Sequence, residues 1–154
     1  MADPDPREIV RRGYDALSYR YRADQAGEGG YAGWLDLLRE RVPPGGSVLD
    51  LGCGAGVPVA RALAAGGFAV TGVDLSGVQI RRARRLVPGA SLVLADATRV
   101  AFRAAAFDAV VCLYTLIHLP LEVAAQEFVP EGAGGHALFW ARRPLAGGGG
   151  GTGR

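Results

Sequence analysis

The chain has no lysine: all 17 of its basic residues are arginine. This excludes a phosphate-binding loop of the Gly-Lys-Ser/Thr kind, in which the lysine reaches the β- and γ-phosphates. Cysteine is nearly absent too. Cys53 and Cys112 show no CxxC and no metal-ligand spacing, so no metal is expected and both thiols are expected reduced and mostly buried. No apolar run is long enough to cross a bilayer, and no signal-peptide pattern opens the chain. The expectation is a cytoplasmic protein without a membrane partner. An excess of one charge is also missing: 17 basic against 15 acidic residues leaves +2, which names no partner class. The 24 glycines and 9 prolines, with abundant alanine and the arginine bias, form the composition a GC-rich genome produces. Arginine clusters therefore carry less functional weight here. Arg81-Arg82-Ala83-Arg84-Arg85 reads as a solvated helix face rather than a nucleic-acid surface. There is no internal repeat, and 154 residues suffice for one domain with one core.

What the chain does have is a glycine-studded turn between two apolar runs. Ser47–Leu51 is short, β-branched and apolar, as a buried parallel strand is. Gly52, Gly54 and Gly56 follow at alternate positions, where the chain turns tightly and lets another group approach its backbone. Residues 57–65 read as a helix. Pro58 falls in its first turn, and Val59, Ala60, Leu63 and Ala64 form its apolar stripe. Residues 68–73 make a second strand with Asp74 at its tip. Such β–turn–α–β units take nucleotide-like ligands at the carboxyl ends of their strands. The turn meets the ligand, and an acid at the second strand accepts from ribose hydroxyls. A dinucleotide fingerprint counted from Gly52 needs glycine where Val57 stands. Asp50, two residues before the first glycine, repels a pyrophosphate but suits an amino group.

With these residues the sequence resembles the class I S-adenosylmethionine-dependent methyltransferases, of the small-molecule type with a VLDLGCGxG turn. The implied cofactor, S-adenosyl-L-methionine, carries an amine and a sulfonium but no phosphate, so acids at its site make electrostatic sense. Downstream, Ser76 caps a helix over 77–87, with Ile80, Ala83 and Val87 on one face. Residues 91–95 form a third strand that ends at Asp96. The resemblance implies that Asp96, followed by Ala97, accepts from the adenine amino group. Phe107-Asp108 opens the fourth strand, 107–114, and residues 115–120 match the segment that borders the transferred methyl. Residues 14–21, from Tyr14-Asp15 to Tyr21, look like the family's leading helix, which folds over the cofactor. The match covers roughly residues 13–120. The implied cofactor-binding residues are Tyr21, Asp50, Gly52, Cys53, Gly54 and Gly56, with Asp74, Leu75, Asp96, Ala97 and Leu113. His118 is the candidate general base, needed only where the acceptor must lose a proton; otherwise alignment and exclusion of water supply the catalysis. Tyr14 and Tyr21 either cover the methionine part or pack against the core. No Asn/Asp-Pro-Pro-Tyr follows the fourth strand, so the signature for methylating exocyclic base amines is absent.

The expected fold is α/β: a Rossmann-like, doubly wound, mostly parallel sheet of about five strands in the order 3-2-1-4-5. Residues 1–46 form an N-terminal helical cap, 47–141 the cofactor-binding core, and 142–154 a disordered glycine-rich tail. Pro43-Pro44-Gly45-Gly46 separates cap from core. The cap's second helix is expected to bury Trp34, Leu37 and Leu38. Beyond Pro120 the pattern departs from the family. Residues 121–128 read as a short helix, 132–135 as a turn and 136–141 as a fifth strand, with no sequence for the family's terminal hairpin. An open apolar edge at 136–141 would favour self-association. Two readings of this end stand: a C-terminally truncated domain, or foreign sequence after about residue 123. Three functions compete: transfer of a methyl group to a small-molecule acceptor, cofactor binding without activity, and an NAD-dependent enzyme. No nucleic-acid partner is expected.

Overall fold

A computed structural model of the chain describes residues 5–113, 115 and 136–140. Helix α1, Pro6–Tyr21, begins where the Asp5 carboxylate accepts the Arg7 N–H at 3.0 Å. Pro6, with no N–H to satisfy, takes its first turn. Arg11 reaches Glu8 and Asp15 along the same helix face, at 2.7 and 2.6 Å. A 3-10 turn, Gly29–Tyr31, leads into α2, Ala32–Arg41. Then come β1 (Ser47–Leu51), α3 (Val59–Ala65), β2 (Ala69–Asp74), α4 (Gly77–Leu86), β3 (Ser91–Leu94), β4 (Ala109–Leu113) and β5 (His136–Trp140). The strands lie in the order β3-β2-β1-β4-β5, as the sequence implies.

The central strand is β1, parallel to β2 on one side and β4 on the other. Its register is pinned at the amino end by the Phe107-Asp108 motif. Asp108 accepts both the backbone N–H and the hydroxyl of Ser47, each at 2.8 Å. That acid therefore ties β4 to β1 at the sheet edge opposite the strands' carboxyl ends. The fifth strand has a direction that the sequence reading did not supply. A helical crossover through 121–128 would return a parallel strand. Instead β5 runs antiparallel to β4, with Val111 opposite Leu138. The helix and turn expected over 121–135, and the tail after residue 141, lie outside the described residues.

One core joins the cap to the sheet. Leu35, Leu38 and Val42 from α2 and its end pack with Val48, Leu63, Val70, Val87 and Val111. The buried face of α2 is rotated from the expected one. Leu35 is buried, while Trp34 is 39% exposed and Leu37 only half-buried. The basic run on α4 also differs from its reading. Arg81, Arg84 and Arg85 are exposed, but Arg82 is only 2% exposed. Its guanidinium donates to the Ser18 and Arg22 carbonyls, the Ser18 hydroxyl and Asp24, and lies over the Tyr19 ring. A buried cation requires this dense set of acceptors. Among the described residues no helix is long and apolar enough to cross a membrane.

Candidate ligand-binding site

The carboxyl ends of β1 to β4 open into one cleft, and α1 closes its side. Its empty volume is about 1100 Å³, counting the solvent at its mouth. The glycine turn forms the floor. Gly52, Gly54 and Gly56 all have positive φ, at 74°, 55° and 75°. Gly54 faces the cleft: a Cβ there would meet nothing nearer than the Gln79 amide at 3.9 Å. Gly56 faces away. Its Cβ would lie 2.8 Å from a Val87 methyl and 3.4 Å from Ala83, so its bareness serves the packing of α4. Gly52 makes room for Thr115, whose hydroxyl donates to the Leu51 carbonyl at 3.1 Å.

Three acids line the cleft in three different states. Asp50 sits inside β1, 3% exposed, with no hydrogen bond to its carboxylate among the described residues. Burial, and then the charge of Asp74, push it up to about 7. Asp74, at the tip of β2, accepts the Gly54 N–H at 2.9 Å and the Ser76 N–H at 2.8 Å. Burial raises it, and those two backbone donors oppose the rise. Asp74 thus ties the glycine turn to the start of α4. Asp96 accepts from the Thr98 N–H and hydroxyl and from Arg7, at 2.9, 2.7 and 3.3 Å. Burial pushes it upward, but the Thr98 and Arg7 contacts outweigh this and hold it below the usual carboxylate range.

The other expected residues fall around the same cleft. Cys53, Leu75, Ala97 and Leu113 line it, as do Tyr14 and Tyr21 from α1. Of the expected cofactor-binding residues, Gly56 alone lies off the cleft wall. The two tyrosine rings meet edge-on at 5.4 Å, and burial first, then Tyr21, push Tyr14 up to about 12. Cys53 and Cys112 are both buried and form no disulfide with each other, and burial carries the Cys53 thiol well above its ordinary value. His118 lies outside the described residues. Among the described residues no group of His, Cys, Asp and Glu is arranged to hold a metal ion.

Several residues of the site make contacts that no motif specifies. Asp15 of α1 accepts the Ser76 hydroxyl at 2.6 Å and the Val78 N–H at 3.3 Å, a second cap on α4. Ser18 donates to Gln79 at 2.8 Å. With Arg82, these contacts dock α1 against α4 over the cleft. Asp15 and Ser18 fall one turn apart within the leading-helix motif of residues 14–21, which implies a helix over the cofactor but not its grip on α4.

The comparison with known families rests on this same frame. A methyltransferase-domain family matches residues 48–130, which begin in β1 and take in the turn and all three acids. The chain belongs to the methyltransferase-domain family. The 27-O-demethylrifamycin SV methyltransferase of Amycolatopsis mediterranei is 32% identical over 142 residues, covering 78% of this chain and 52% of that protein. The 2-methyl-6-phytyl-1,4-hydroquinone methyltransferase of Synechocystis is 40% identical over 92 residues, 57% of this chain and 27% of that protein. Among solved structures, the magnesium protoporphyrin IX methyltransferase of Synechocystis with bound SAM superposes with a TM-score of 0.60 at 26% identity. It covers 81% of this chain and 69% of its own. The methyltransferase domain described here spans about half the length, or less, of these curated relatives.

Proposed function

We propose that this methyltransferase domain binds S-adenosyl-L-methionine and transfers its methyl group to a small-molecule acceptor. The observation that carries the reading is the pairing of a buried Asp50, without a hydrogen bond among the described residues, with the open face of Gly54 on one cleft floor. Such a floor suits a cationic amino-acid end and offers backbone without a side chain in the way. Asp74 spends one lone pair of each oxygen on a backbone N–H and keeps the others for a ribose diol. Asp96 and Ala97 flank the end at which an adenine would lie, with Leu75 beside them. Tyr14 and Tyr21 shut the α1 side and keep water out. Bound S-adenosylmethionine would supply the chemistry, an activated methyl on a sulfonium. The chain's own part is then to bind, to align and to exclude water, which is where proximity catalysis comes from. His118 is proposed as the base for acceptors that lose a proton.

The relatives named above act on a hydroquinone and a rifamycin, which supports a small organic acceptor here. Two buried cysteines that form no disulfide with each other suit the reducing cytoplasm. The outer edge of β5, the last strand of the sheet, supports self-association through residues 136–140. A second reading, cofactor binding without transfer, shares the site. Calorimetry with S-adenosylhomocysteine and NAD, followed by transfer of a labelled methyl group to small-molecule extracts, decides among the three functions. Tight binding with transfer is expected. Binding without transfer leaves the second reading, and preference for NAD overturns both.

A further inference from the structure

Among the described residues, Asp50 is the one fully buried acid of the cleft that no donor or cation neutralises. Asp74 and Asp96 hold backbone, hydroxyl or guanidinium donors, whereas the Asp50 carboxylate has no hydrogen bond among the described residues. The groups around it do not help to ionise it. From the end of β2, Asp74 adds a second negative charge. From the turn, the buried Cys53 thiol stays neutral, and from α1 Tyr14 stays neutral while Asp15 adds to the field on Asp74. The arginines of the cleft wall are engaged elsewhere: Arg7 with Asp5 and Asp96, Arg11 with Glu8 and Asp15, Arg22 with the Tyr31 hydroxyl. A bare carboxylate in such a place either takes a proton or takes a cation.

We infer that Asp50 is a proton-exchanging counter-ion, protonated in a fraction of the ligand-free molecules and ionised in all that hold the cofactor, so that cofactor binding expels a proton. This rests on the reading of the cleft as an S-adenosylmethionine site. Entry of the ligand's ammonium end replaces the proton with a fixed positive charge. The only bond broken is the carboxyl O–H: its electron pair stays on the carboxylate, and the proton passes to solvent water or buffer. The consequence is ligand-selective. Ligands with the amino-acid end bind only the ionised fraction, while 5′-methylthioadenosine, which lacks that end and any charge, binds both fractions alike. The apparent dissociation constant of the charged ligands is then the intrinsic one divided by the ionised fraction.

The test is calorimetry on the full chain with S-adenosylhomocysteine and with 5′-methylthioadenosine. Between about pH 7.5 and 6, affinity for S-adenosylhomocysteine should fall about eightfold, and that for methylthioadenosine should stay level. Titrations near neutrality in two buffers of different ionisation enthalpy should show net proton release for the first ligand and none for the second. In Asp50→Asn the proton release should vanish while methylthioadenosine still binds. A flat profile for both ligands, or proton release that survives in Asp50→Asn, overturns the inference. The wild-type comparison of the two ligands decides the matter even if the variant does not fold. Absence of binding by either ligand at every pH would instead overturn the cofactor reading itself.

Discussion

Gly54 and Gly56 share a positive φ and differ in everything around them. An alanine at either position takes on left-handed backbone strain of about 1–2 kcal/mol. At Gly54 the added methyl then enters the open cleft. Gly54→Ala should leave a folded protein whose affinity for S-adenosylhomocysteine drops at least about tenfold, roughly 1.4 kcal/mol. At Gly56 the methyl would sit 2.8 Å from Val87, inside the packing of α4. Gly56→Ala should therefore lose about a further 1–3 kcal/mol of stability through overpacking, with the affinity of the folded fraction little changed. Urea denaturation and calorimetry on both variants separate the two jobs. Asp74 combines them. Asp74→Ala removes the proposed ribose acceptor and also strands the Gly54 and Ser76 N–H groups. Each charged hydrogen bond lost costs about 1.5–3 kcal/mol. Its affinity loss should exceed tenfold, and its stability should fall as well, whereas a carboxylate that served only the ligand would leave stability unchanged.

At the scale of elements, the placement of α1 decides whether the cleft has a wall. Arg82 is the residue that fixes it, because its guanidinium gathers the Ser18 and Arg22 carbonyls and Asp24 at the end of that helix. Arg82→Met keeps the apolar stem and removes the fork. We expect a loss of about 3–5 kcal/mol, since the acceptors are left without their buried donor. Limited proteolysis should cut first between α1 and the 3-10 turn, at residues 22–28. An unchanged denaturation midpoint would show that Asp15 and Ser18 hold the helix unaided. This docking also marks the limit of what the sequence discloses. The β1–turn–α3–β2 unit is legible because its signals are local: an apolar run, alternate glycines, an acid at a fixed distance. Asp50, Asp74 and Asp96 inherit their place from that frame. Arg82 has no such signal, and the leading-helix motif around Asp15 and Ser18 does not name their contacts, since the partners of all three stand about sixty residues away in the chain. Composition even misleads at Arg82, which lies in a run of arginines that otherwise faces solvent. The rotated face of α2 has a similar cause: Trp34 and Leu35 both fit a helical stripe, and only the neighbours in the core choose between them. The antiparallel course of β5 likewise depends on the path of the chain between β4 and β5, which local propensity does not encode.

At the scale of the whole molecule, the buried acid Asp50 sets how stability responds to pH. Asp50 has an ordinary value of 3.8 and is pushed up to about 7 in the folded chain, first by burial and then by Asp74. Between those values the folded chain holds a proton that the unfolded chain has released. Unfolding then releases protons, so stability falls as pH rises and this contribution is lost through about 7. Asp74, raised by burial, acts in the same direction. The acids held low by arginine act oppositely: Glu8, held at about 2 by Arg11 and Arg12, and Asp24, held low by Arg82, contribute stability that is lost only as pH falls toward their folded values. The ligand-free protein should accordingly be most stable on the acid side of neutrality, with a thermal midpoint that declines from about pH 5 to pH 8. Saturating S-adenosylhomocysteine should remove or reverse the decline, because the bound cation stabilises the ionised form and binding adds stability by mass action. Asp50→Asn should flatten the ligand-free profile. Scanning calorimetry across that range checks all three curves. A ligand-free midpoint that climbs steadily to pH 8 would mean that Asp50 is ionised throughout and that the fold supplies it with a positive partner.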